Sequence, residues 1–248
     1  MKHVIPLTRS FVVSCVLALA LAGCIEASQE PVAYDAVVLS RDGGKDESNG
    51  WVITMSRADV ALGPFYFCAA ASGSSTLCAS SIAEVASVRV VNALAAGPSP
   101  LGRVHGFSGN IQSVSYDFGI SWFDTQTAAT PAPALPGGHS MRLEGEARKG
   151  TRVVPFTADV DVVPQYQGQN AISTAPAVGS IASSATRLEI LVNPAAWMRQ
   201  VDFDAVADKV GATGKAVFAI KPGMEEHGAV LVGLKNLAPP ELRWVAAP

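Results

Sequence analysis

Hydrophobic and polar residues alternate along much of this chain, and that alternation is its strongest structural signal. Trp51, Ile53 and Met55 share one face of an extended segment, with Val52, Thr54 and Ser56 on the other. From Val114 to Phe123 the pattern is cleaner. Val114, Tyr116, Phe118, Ile120 and Trp122 point one way, and Ser115, Asp117, Gly119 and Ser121 the other. A period of two, bulky on one side and small or polar on the opposite side, predicts half-buried antiparallel strands with the polar side outward. Tyr34–Leu39, Arg187–Val192, Ala216–Ile220 and Leu242–Ala246 read as further strands. The apolar run Ala58–Cys68 is interrupted by Gly63-Pro64, which predicts a bulge or bend.

The segments Ser140–Arg148 and Thr151–Val163 flank Lys149-Gly150 and predict a hairpin with that dipeptide as its loop. Pairing Arg148 with Thr151 sets Leu143 opposite Phe156 and Met141 opposite Ala158, all inward. A slip of one residue would turn the apolar set of one strand outward. Asp159 and Asp161 then fall together on the outward face, as solvated charges.

Helical signals appear only towards the C-terminus. Asn193-Pro194 offers an N-cap followed by proline at the first helical position, and Trp197 and Val201 are spaced to share a face. A second short helix is expected over Asp204–Val210, with Asp202 and Asp204 at its cap and Gly211 as its stop. Met224, His227, Leu231 and Leu234 recur at helical spacing behind two acids, favouring a third helix over Glu225–Lys235. Arg41–Gly50 is a polar turn region, and Thr125–Gly138 and Asn170–Ala185 read as long surface loops. The sum is a mainly β protein: an antiparallel β-sandwich with a few short helices near the C-terminus.

The first residues follow a different logic. Lys2 and Arg9 precede an apolar run, Phe11–Ala22, of 12 residues. As a helix it would span roughly 18 Å, short of a hydrocarbon core of about 30 Å, so it reads as a secretory signal. It ends in Leu21-Ala22-Gly23-Cys24, which resembles the lipobox of bacterial lipoproteins. That resemblance implies diacylglycerol on the Cys24 sulfur, cleavage of Gly23-Cys24 and acylation of the new amine. Several acyl chains on one residue give stable membrane anchoring. The same resemblance implies that Ile25, in place of an aspartate, favours the outer over the inner membrane of the cell envelope. The expected organisation is signal peptide over 1–23, lipidated tether over 24–33 and a single β-sandwich-like domain over 34–248.

The signal removes two basic residues and no acid, leaving 16 basic against 21 acidic side chains, a net charge of −5. A mildly acidic surface with no basic cluster excludes phosphate-driven binding of DNA or RNA. Cys15 leaves with the signal and Cys24 takes the lipid. Cys68 and Cys78 remain as an even pair in an oxidising compartment, where a disulfide is expected.

The usual catalytic motifs are absent. Gly106-Phe107-Ser108-Gly109 falls one residue short of a nucleophile elbow, and Gly211–Ala216 imitates a P-loop without its hydroxyl after Lys215. Met224-Glu225-Glu226-His227 is not a zinc-protease helix. His139 and Met141 at i, i+2, Met224 and His227 at i, i+3, and His105 as a third imidazole offer the soft sulfur and nitrogen donors that suit copper. Met141 and Met224 also fit apolar faces, where methionine is ordinary core. The leading expectation is a membrane-anchored, non-enzymatic binding or structural module for a protein, glycan or small molecule. Copper binding through the five His and Met residues is the alternative.

Overall fold

A computed structural model of the chain describes residues 29–70, 81–119, 136–163, 175–214 and 216–246. Cys24 and the lipobox, Cys78, Ile120 and Trp122 lie outside the described residues. Pro31–Pro248 folds as one unit around one hydrophobic core. The first strand opens at Pro31, so the segment expected as tether up to residue 33 already contributes to the sheet.

Fourteen strands are described. In chain order they are β1 (Pro31–Ser40), β2 (Lys45–Ser48), β3 (Trp51–Leu62), β4 (Phe65–Cys68), β5 (Ser81–Val85), β6 (Arg89–Asn92) and β7 (Ser99–Phe107). They continue with β8 (Gly109–Tyr116), β9 (Met141–Lys149), β10 (Arg152–Val160), β11 (Ala175–Ile181), β12 (Ala185–Val192), β13 (Phe218–Ile220) and β14 (Glu241–Ala246). Three short helices join the last third: α1 (Pro194–Trp197), α2 (Phe203–Thr213) and α3 (Glu225–Val232). The fold is mainly β and sandwich-like or barrel-like, with short C-terminal helices, as the alternation predicts.

An eight-stranded sheet runs in the order β11-β8-β4-β5-β7-β1-β12-β14. Its two ends meet: a Cβ on Gly179 of β11 would stand 3.0 Å from the Trp244 ring of β14, so the sheet curls into a nearly closed barrel. The second sheet runs β13-β10-β9-β3-β2, with β6 also paired to β3. Both sheets are mixed rather than purely antiparallel, because β1–β12 and β10–β13 pair in parallel. Gly63-Pro64 carries the chain from β3 in one sheet to β4 in the other through a cis peptide bond. Only glycine fits before this proline: φ is +103°, and a Cβ would meet the Ser87 carbonyl oxygen at 2.1 Å. The bend expected at this dipeptide is therefore a corner between sheets.

Several expectations are corrected. The hairpin forms, but Lys149 pairs with Arg152, Leu143 with Ala158 and Met141 with Val160. The loop is Gly150-Thr151, shifted from Lys149-Gly150. Gly150 has φ +59° and takes the first central position, the place a type II′ turn reserves for glycine. The register moves by two residues, so the same side chains stay inside. Ser115 and Asp117, expected outward, are buried. Period two tells which face is more apolar, not whether the polar face is covered. Here Ser113 donates to the Ala70 carbonyl (2.6 Å), and the Asp117 backbone is bound into the corner by Gly63 and Pro64. The Asn170–Ala185 stretch holds β11 rather than being all loop.

The helices begin as their caps dictate. Asn193 accepts from the Ala195 and Ala196 amides with Pro194 at the first position, and Asp202 accepts from Ala205. Helix α2 runs through Gly211 and ends at Gly214, whose left-handed φ of +64° supplies the stop. Aromatic contacts fasten the helices. Phe203 of α2 meets Trp51 and Phe156 at 5.8 and 5.5 Å, and Trp197 of α1 meets Phe118 edge-on at 5.9 Å.

Candidate functional site

The hairpin and α3 bring two of the three flagged histidines together on one aspartate. His139 stands just before β9, after a turn over Pro136–Gly138, and Asp161 stands just past the end of β10. Hairpin pairing makes these positions neighbours. Beyond the last paired residues, the Val162 amide donates to Ser140 Oγ at 3.0 Å. His139 Nδ1 donates to Asp161 Oδ1 at 2.8 Å. The Asp161 amide donates to His227 Nε2 at 3.1 Å, tying the first turn of α3 to the open end of the hairpin. Asp161 is thus a partner of both imidazoles, not the solvated charge expected.

The two histidines differ in environment. The His139 side chain is 29% exposed, and its Nε2 has no hydrogen-bond partner among the described residues. His227 is buried, and burial pushes its pKa below the ordinary value of 6.5; Asp161 pulls the other way, and His139 adds to the lowering. With Nε2 accepting a backbone N–H, His227 is neutral and carries its proton on Nδ1. An imidazole oriented by a carboxylate, with Nε2 open, can exchange a proton there. A nucleophilic triad is not formed with Ser140: that serine is fully buried, and its Oγ accepts from Val162.

The other flagged residues sit elsewhere. Met141 is fully buried in the core, and Met224 Sδ accepts the Lys221 amide at 3.2 Å. His105 is exposed on β7 in the other sheet, paired with Ala33 and Glu84. Among the described residues no group of three or more His, Cys, Asp or Glu is placed to hold a metal ion. The five His and Met residues do not assemble into one copper-ligand set: one sulfur is core packing, the other closes a turn, and His227 Nε2 is already engaged.

Two clefts flank Arg199, a residue to which the sequence pattern gave no prominence. Arg199 makes a two-pronged bond to Asp46, Nε to Oδ2 at 2.7 Å and Nη2 to Oδ1 at 2.9 Å. On one side is a cleft of about 390 Å³, lined by Arg41, Asp42, Asn193, Pro239, Pro240 and Glu241 among others. On the other, about 300 Å³ lies between Asn49, Trp51, Asp202 and Asp204. In the larger cleft Arg41 bonds Glu241 at 3.2 Å and approaches Asp42 at 3.4 Å. Asn193 Nδ2 reaches Asp42 and the Lys45 carbonyl. In the smaller, Asp204 receives Lys149 and Arg152, which also lie over the Trp51 ring at 5.8 and 5.6 Å. The Asp204 carboxyl is held below its usual range, first by the Lys149 hydrogen bond. No family model, curated protein or solved structure matches this chain.

Proposed function

We propose that this chain is an exported lipoprotein, anchored in the outer membrane through acyl chains on Cys24 and stapled by Cys68–Cys78. Its β-domain acts as a non-enzymatic binding module. The observation that supports it best is the larger cleft, whose size suits a small ligand or a few residues of a larger one. Its charged groups are already in ion pairs, and it is lined by two prolines and no histidine, cysteine or serine. Such a lining recognises a polar ligand by exchanging one set of ion pairs for another. Arg41, with its side chain about half exposed, can make that exchange.

Intact-mass measurement on protein from its native host tests the anchor. The expected species starts at Cys24 and carries acyl chains; an unmodified chain, or another start, overturns it. Thermal-shift screening of proteins, glycans and small polar molecules tests the module. A hit weakened by Arg41→Ala supports the cleft. Turnover on a hydrolase panel that is lost on His139→Ala overturns the non-enzymatic reading.

A further inference from the structure

We propose that His227 is the catch of an acid-operated latch that fastens α3 to the open end of the β9–β10 hairpin. β10 ends at Val160, and the Asp161 amide, the next donor along the chain, bonds His227 Nε2 at 3.1 Å. That bond needs a lone pair on Nε2. Neutral imidazole supplies it; imidazolium, protonated on both nitrogens, does not. One added proton therefore sets two N–H groups against each other, strands the amide and places a charge on a buried ring.

The charges around the ring decide how readily this happens. Asp161 favours the protonated form, but its Oδ1 is already held by His139 Nδ1. A proton on His139 opposes a second one on His227. Asp159 of β10 stands two residues before Asp161, and further charged groups on the neighbouring elements are committed or turned away. Lys209 of α2 pairs with Glu226, and Arg199, in the turn before α2, pairs with Asp46. Glu225 is exposed on the first turn of α3, and Lys235, in the turn after α3, senses Asp117. Burial outweighs the pull of Asp161, which keeps the latch closed near neutral pH.

Helix α3 depends on a few tertiary contacts, of which this catch is one and the Lys209–Glu226 pair and the buried Val230 are others. It has eight residues, no side-chain cap at Met224 and a glycine, Gly228, in its interior. A helix this short is unstable alone and depends on its tertiary contacts. Glu226, His227 and Val230 are its buried residues. Breaking the His227 bond therefore loosens the first turns of α3, while the hairpin keeps its own ladder.

Hydrogen exchange of the full chain in detergent, compared at about pH 7.5 and about pH 5 and corrected for intrinsic rates, tests the latch. Protection over 225–232 is expected to fall about tenfold or more at the lower pH, with β9 and β10 unchanged. His227→Gln keeps a side-chain acceptor that cannot titrate, and is expected to protect α3 equally at both pH values. Wild-type protection that ignores pH overturns the latch, and so does a loss in His227→Gln as large as in the wild type. Should that variant not fold, NMR titration of the wild-type His227 ring decides. Titration over the range in which α3 loses protection supports the latch; either change without the other overturns it.

Discussion

The backbone of Gly233 lies directly on that of Trp197. A Cβ at position 233 would stand 2.1 Å from the Trp197 carbonyl oxygen, closer than any side chain tolerates. This approach lets the turn after α3 sit against α1, where Trp197 Nε1 donates to the Ala238 carbonyl at 3.0 Å. Gly233→Ala must push two backbones apart and is expected to lower stability by about 1–3 kcal/mol. Gly211 is the contrast, inside α2 with nothing within 4 Å of its Cβ position. Gly211→Ala is expected to raise stability by roughly 0.5–1 kcal/mol through helix propensity alone. Urea denaturation of the two variants checks both signs.

Asp46 and Arg199 form the most shielded two-pronged ion pair described, with the Asp46 side chain only 10% exposed. The pair joins β2 to the turn between α1 and α2 and stands between the two clefts. Arg199→Lys keeps the charge but cannot reach both carboxylate oxygens in one plane. It is expected to cost about 1–2 kcal/mol, and Asp46→Ala at least as much, since the guanidinium then loses both acceptors. A double-mutant cycle read by chemical denaturation measures the coupling. Coupling near zero would mean that the pair does not brace the cleft walls.

Much of this architecture is legible in the residues, and the misses have physical reasons. The alternation in Trp51–Met55 marks the inner face of β3 correctly, and Asn193-Pro194 and Asp202 announce the starts of two helices. The hairpin is legible but not its loop, because Lys149-Gly150 and Gly150-Thr151 both offer a glycine and both keep the apolar face inward. Local residues also cannot specify the parallel pairing of β1 with β12, whose partners lie about 150 residues apart. The convergence of His139 on Asp161 was within reach: residues flanking the two ends of a hairpin are neighbours at any nearby register. His227 was not, since its place depends on how α3 docks. The Arg199–Asp46 pair spans 153 residues and leaves no local pattern.

Acid should weaken the folded chain in a defined window. Burial first, and then His139, lowers the His227 pKa below 6.5, so between those values the unfolded chain binds more protons than the folded one. The stability linked to this ring is complete above about pH 6.5 and is lost as pH falls through 6.5 towards the folded pKa. Thermal melts at intervals from pH 8 to pH 5 should show Tm falling below that point. In His227→Gln this part of the fall should vanish, while the part due to carboxylates remains. Asp161→Asn removes the charge that favours the imidazolium, so it should push the His227 pKa lower still in a ring titration.

At the alkaline end the buried tyrosines set the limit. Burial raises Tyr34 to about 12, against a partial lowering by its contact with Trp244. Tyr116 is raised further by burial and then by the Asp117 charge, and Tyr66 is raised by burial first, with Glu84 and Asp117 adding to it. No hydrogen-bond partner among the described residues meets the hydroxyl of Tyr116, and at Tyr34 the contact with Trp244 only partly offsets burial, so the phenolate is disfavoured at both. Their folded pKa values lie above the ordinary 10, so the folded chain holds protons that the unfolded chain gives up. The linked stability is complete below about pH 10 and is lost as pH rises towards 12 and beyond. Phenolate absorbance followed from pH 9 to pH 12 should lag well behind that of the denatured chain and then rise steeply as the protein unfolds. Tyr34→Phe should remove part of the delayed absorbance and move the alkaline unfolding midpoint upward. A smooth titration centred near 10 in the native chain would show that these hydroxyls reach water and that the core around Trp244 is open.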